Sequence, residues 1–141
     1  MMVNKMTLQI YEVIKKAASQ NKKADKISIL KQNETFALKS VLQGTYNPNI
    51  KLDLPEGDPP YTPNEPQSTP SSLLKQARRF EYFVPPKSTQ MNPLRKESMF
   101  IQLLEAVHPE DAKIVLQMKD KKPFKGISAA VVKEAFPNIL P

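Results

Sequence analysis

The sequence predicts an all-α fold: about seven short helices in an irregular bundle, joined across the middle by a proline-rich crossover. Three observations support that expectation. Apolar residues recur at helical spacing near both ends of the chain and alternate only briefly, over Ile50, Leu52 and Leu54. Helix starts are marked by Ser128 as an N-cap and by Pro93 and Pro109 at first-turn positions. Pro55, Pro59, Pro60, Pro63, Pro66 and Pro70 crowd one stretch where no regular helix can form.

In chain order, Thr7 is placed to cap a first helix running to about Ser19, its apolar face built from Leu8, Ile10, Tyr11, Val13, Ile14 and Ala17. A polar break at 21–23 leads to a second helix, about Ala24 to Gln32, that buries Ile27 and Leu30. Phe36, Leu38, Val41 and Leu42 mark a third, stopped by Gly44. Breaks this short make the three helices consecutive neighbours. The crossover, 47–70, is expected to be an ordered strap, because Leu52, Leu54 and Tyr61 can pack on the core. A fourth helix is expected from Leu73 to about Phe83, then a polar loop over 87–92, then a long helix from Pro93 to about His108. The next starts at Pro109 with Glu110 and Asp111 suiting its positive end. Ser128 caps a last short helix, Ala129 to Phe136, stopped by Pro137.

At 141 residues the chain fits one domain: N-terminal helices over 1–46, the crossover, and C-terminal helices over 71–141. The net charge of +7 favours an acidic partner such as nucleic acid. The absence of cysteine rules out disulfides and thiolate metal sites and fits a reducing compartment. No apolar run reaches transmembrane length and residues 1–6 lack a signal-peptide core, so a soluble intracellular protein without membrane association is expected.

Catalytic chemistry is thin. His108 is the one histidine and sits at a helix junction, where packing or capping outweighs catalysis. It has no second histidine or cysteine to complete a metal site, and three glycines cannot build a phosphate-binding loop. Neither enzyme activity nor a cofactor is expected. The basic segments are more informative. Lys15, Lys16, Lys22, Lys23 and Lys26 read as a solvated face. Lys75, Arg78 and Arg79 share a helix with Phe80 and Tyr82, a mixture that suits either nucleic acid or a half-buried helix. Lys119, Lys121, Lys122 and Lys125 run into Gly126 and the capped start at Ser128, with Lys133 one turn on, and this segment is the favoured phosphate contact.

The ends of the chain resemble the helical N-terminal DNA-binding domain of phage-type ATP-dependent DNA ligases. The matching features are helices over Ile10–Ala18, Lys26–Lys31 and Leu38–Tyr46, then Gly126, Ser128, an aliphatic helix, Phe136, Pro137 and Ile139-Leu140-Pro141. The resemblance implies a ligase-like DNA-binding domain without the enzyme, since the adenylate-accepting K-x-D-G motif is missing. Its proline-rich centre departs from the ligase pattern. The whole chain, Leu54 to Pro63 especially, is also similar to small uncharacterised proteins of tailed phages that infect marine cyanobacteria. That similarity implies a location in the cytoplasm of the infected host. The leading expectation is therefore a non-catalytic, sequence-independent binder of duplex DNA. The rival is a module that docks on a host or phage replication protein through the strap.

Overall fold

The computed structural model describes residues 8–66 and 71–141. The expected cap at Thr7 and residues 67–70 of the crossover lie outside them. Every regular element among the described residues is helical. Helices α1 (Ile10–Ala18), α2 (Lys23–Gln32) and α3 (Phe36–Tyr46) precede the crossover. After it, α4 (Leu73–Gln76) tightens into a 3₁₀ segment, Ala77–Phe83, followed by a 3₁₀ turn, Lys87–Gln90. Then come α5 (Pro93–Ala106), α6 (Pro109–Lys119), α7 (Ala129–Ala135) and a last 3₁₀ turn, Pro137–Ile139.

Two elements differ from expectation for reasons of packing. Gly44 does not stop α3, which continues to Tyr46. It is buried where a Cβ would lie 2.8 Å from Met118 Sδ, so it serves the approach of α3 to α6. The expected fourth α-helix survives for one turn only. Beyond it Ala77, Phe80 and Phe83 are buried at three-residue spacing, the period of a 3₁₀ helix.

Helix α6 packs against α1, α3 and α5 and buries Ala112, Val115, Leu116 and Met118. Pro109 opens it, and His108 caps it by accepting the Glu110 N–H on Nδ1 at 3.0 Å. The His108 ring also stacks on Tyr11 with centroids 4.5 Å apart. All seven α-helices contribute to one apolar core.

The described part of the crossover, 47–66, is pinned at several points. Leu52 is buried, and Asp53 donates its N–H to Phe83 O at 2.6 Å. The buried ammonium of Lys96 donates to Asp53 Oδ2 (2.8 Å) and Ser88 O (3.1 Å), and that hydrogen bond holds the Asp53 carboxyl below its usual range. Thr62 N–H reaches Glu105 Oε2 at 2.7 Å. The Asn64 amide and the Ser71 N–H donate to Glu105 O and Ala106 O at 2.8 and 2.9 Å. Carbonyls at the end of a helix lack intrahelical donors, and here the strap supplies them. Tyr61 and Leu54 pack on the core from the same strap.

A buried acid joins the first turns of two helices. Asp111, in the first turn of α6, is fully buried and accepts the Tyr11 N–H on Oδ1 at 2.8 Å, so it caps α1. Its Oδ2 has no protein partner. Burial pushes this carboxyl up from 3.8 to about 6, with the Tyr11 hydrogen bond opposing and Glu12 and Glu110 adding. A carboxyl raised in the folded state binds its proton more tightly there than in the unfolded chain. Its stabilising share is complete below the unfolded value and is lost as pH rises through about 6. Urea unfolding should therefore show stability falling by roughly 1–3 kcal/mol between about pH 4 and pH 7. Asp111→Asn should flatten that profile, and an unchanged slope would show that Asp111 does not titrate there.

Candidate nucleic-acid interface

The region that sequence marks for phosphate contact begins where α6 ends. Lys121 N–H donates to Met118 O and Lys122 N–H to Gln117 O, both at 3.0 Å, the paired bonds of a Schellman motif. The motif places Lys121 at φ 56°, a left-handed backbone usually taken by glycine. The side chain gives the reason for lysine. Its Nζ donates to Gly44 O at 2.7 Å, Asn47 O at 2.8 Å and Ile50 O at 2.5 Å. One ammonium thus closes the end of α3 and holds the start of the strap. Burial, with the charge of Lys51, lowers its pKa.

Lys119 is also internal. Only 3% of it is exposed, and its Nζ donates to Pro55 O at 2.9 Å and Asp120 Oδ1 at 2.6 Å. Burial works to raise the Asp120 carboxyl, but the Lys119 hydrogen bond and charge prevail and leave it lowered. The expectation that the four lysines of 119–125 act together on phosphate is corrected here. Lys119 and Lys121 are committed to interior carbonyls, because a helix end and a strap lie within their reach.

The remaining members stay outward. Lys122 and Lys125 are exposed, and Lys125 lines a groove between α1 and α6 together with Tyr11, Lys15 and Lys113. Gly126 follows at φ 85°, pressed on the end of α1, where an added Cβ would lie 2.8 Å from Ala18 O. Its carbonyl accepts the Lys26 ammonium. Ser128 caps α7 by accepting the Val131 N–H at 3.2 Å. Lys133 is exposed on the same helix, and Lys23 pairs with Glu134 at 3.1 Å, tying α2 to α7. At seven residues, α7 spans about two turns, so the positive field here comes mainly from lysines.

The end of α1, the start of α2, the 125–128 turn and α7 therefore adjoin. Lys15 and Lys125 line one groove, Lys26 reaches Gly126 O and Lys23 reaches Glu134, while Lys22 and Lys133 are exposed on the same elements. Spacing along the chain leaves Lys15, Lys22 and Lys26 on a merely solvated face. The signal that links Lys15 and Lys26 to Lys125 is steric: Gly126 against the small Ala18 permits a backbone approach that no pattern of charges reveals.

The second basic segment is not gathered. On an α-helix Lys75, Arg78 and Arg79 would share a side. The 3₁₀ geometry sets successive residues about 120° apart and aligns residues three apart. Arg78 thus lines a groove with Glu81, Phe80 and Val84, while Arg79 turns with Tyr82 to another face. Lys75 remains exposed on α4.

No curated protein matches the chain. Residues 13–124 match DUF6433, a family of unknown function. The chain belongs to that family. The DUF6433 match takes in Lys122 as well as Lys119, Lys121 and the carbonyls those two hold, and Lys125, Gly126, Ser128 and Lys133 lie beyond it. Among the described residues, no group of three acidic or histidine side chains is placed to hold a metal ion, and no helix is long and apolar enough to cross a membrane.

The structural role of Lys121 is open to measurement. Lys121→Met keeps the backbone strain and loses the ammonium, and it should cost about 2 kcal/mol in urea unfolding. Lys121→Gly loses the ammonium but relieves the left-handed strain, so it should be the more stable of the two by about 1 kcal/mol. A Met variant as stable as the parent protein would refute this role.

Proposed function

We propose that this protein binds duplex DNA without reading its sequence, through the lysine face formed by the ends of α1 and α2, the 125–128 turn and α7. The observation that carries the reading is the meeting of these elements, with Lys15 beside Lys125 in one groove and Lys26 on the Gly126 carbonyl. Lys16, Lys22 and Lys133 are exposed on the same elements, and Lys122 is exposed in the adjoining groove beside Asp58 and Asp120. Of the carboxylates on or beside these elements, Glu134 pairs with Lys23, Glu110 in the Lys125 groove pairs with Lys113, and Asp25 lies in the first turn of α2. Exposed lysines neutralise phosphates and release counterions, which needs no contact with base edges. The likeness of both chain ends to a ligase N-terminal DNA-binding domain supports the same reading. On this reading the protein acts in the cytoplasm of a phage-infected host.

A second reading, docking of a host or phage protein on the strap, rests on one observation. The strap is held extended by Lys119, Glu105 and Lys96, while Pro60, Thr62 and Pro63 stay exposed. Chain pre-set in this way loses little entropy on binding.

Fluorescence anisotropy against duplex DNA at several salt concentrations separates the two. With about four phosphates neutralised, log K should fall with log salt at a slope of roughly −4. Lys122→Ala with Lys125→Ala should flatten that slope by about 2 while leaving the melting temperature nearly unchanged. No binding at about 50 mM salt, or a slope indifferent to the double change, would favour the strap as the functional surface.

A further inference from the structure

A groove on another part of the molecule has no role in the reading above. It lies between the 3₁₀ segment Ala77–Phe83, the turn Lys87–Gln90 and α5, and is lined by Arg79, Tyr82, Lys87, Gln90, Met91, Arg95 and Met99. Its construction follows from helical periods. With Ala77, Phe80 and Phe83 facing inward, the next stripe of the 3₁₀ segment presents Arg79 and Tyr82 on one side. Arg95 and Met99 lie four residues apart on α5, and Met91 stands in extended chain just before that helix; together they form the facing wall.

The chemistry of this lining is specific. Three cations converge, and no carboxylate lines the groove. Lys87 is neutralised by Glu81 at 2.9 Å and lies over the Tyr82 ring, 5.1 Å from its centroid. Arg79 and Arg95 have no ion-pair partner among the described residues. Guanidinium groups match phosphate oxygens in a fork geometry. Beside them stand an exposed aromatic ring and two thioethers, which suit the flat face of a ring. The volume of about 640 Å³ falls within the range of roughly 300–1,000 Å³ common to small-ligand sites.

We propose that this groove binds a nucleotide, with Arg79 and Arg95 on its phosphate and the base against Tyr82 and the methionines. The nucleotide is either free or the end of a single strand, since both present the same phosphate and ring. The site is separate from the lysine face, so duplex binding and nucleotide binding can fail independently.

The test is titration of the full chain, followed by amide NMR, with AMP, adenosine, inorganic phosphate and a short 5′-phosphorylated oligodeoxynucleotide. AMP should shift the amides of Arg79, Tyr82, Met91 and Arg95. Adenosine or phosphate alone should bind at least about tenfold more weakly, because each engages half of the site. Arg79→Gln with Arg95→Gln should weaken AMP by at least about tenfold, and Tyr82→Leu should weaken AMP but not phosphate. All three side chains are exposed, so melting temperatures should hold, and Lys122→Ala with Lys125→Ala should leave AMP binding unchanged. An oligonucleotide that shifts the groove amides at lower concentration than AMP, also with Lys122→Ala and Lys125→Ala, assigns the site to a strand end, and one that needs the same or a higher concentration assigns it to the free nucleotide. No shift in the groove at about 10 mM AMP, or shifts that survive the arginine change, would overturn the proposal. So would equal responses to AMP and phosphate.

Discussion

The ammonium of Lys121 is the joint on which the arrangement depends. It sits among carbonyls from the end of α3 and the start of the strap, while its own backbone makes the left-handed turn that ends α6. Three pieces of chain thereby acquire fixed relative positions. Without that joint, the carbonyls of Gly44, Asn47 and Ile50 would lose a charged donor at one stroke, and unsatisfied groups of this kind are expensive to bury. The neighbouring turn depends on the same geometry. Tyr46, at the end of α3, donates its hydroxyl to Ile127 O at 2.5 Å and accepts the Phe124 N–H at 2.9 Å. The position of Lys125 and of the α7 cap is thus inherited from the end of α3.

Positive charge in this molecule is divided between two tasks. Lys96, Lys119 and Lys121 turn inward and satisfy carbonyls that a chain of short helices leaves open. Such a fold has many helix ends for its length, and every end exposes unpaired groups. Asp111 does the complementary work at the start of α1. Of the lysines left outside, Lys15, Lys26 and Lys125 come near one another because α1, α2 and the 125–128 turn adjoin. The same helical economy explains the strap. Its prolines cannot form a helix, but its Asn64 and Ser71 donors finish α5.

Much of the fold was legible in sequence. Pro93, Pro109 and Ser128 each mark a real helix start, since they act through bonds within a few residues of themselves. Leu52, Leu54 and Tyr61 pack on the core, as their place in the sequence suggested. The errors arise where long-range packing overrides a local rule. Gly44 looked like a stop because its purpose, room for Met118, lies 74 residues away in sequence. The 3₁₀ segment looked α-helical because Phe80 and Phe83 fit either period over so short a span. The candidate site was half legible. Charge density along the chain pointed to residues 119–125, but it does not distinguish a lysine that reaches solvent from one that reaches a carbonyl. Lys121 could have been suspected only from the turn it occupies.

The central claim is that phosphate meets the lysine face and leaves the internal lysines undisturbed. Hydrogen exchange of the full chain, with and without a saturating DNA duplex, addresses it directly. Bound DNA should slow exchange at the end of α1, the first turn of α2 and residues 125–133, and leave residues 47–54 and 77–95 unchanged. Protection confined to the strap at 54–63, with none at 125–133, would contradict the account.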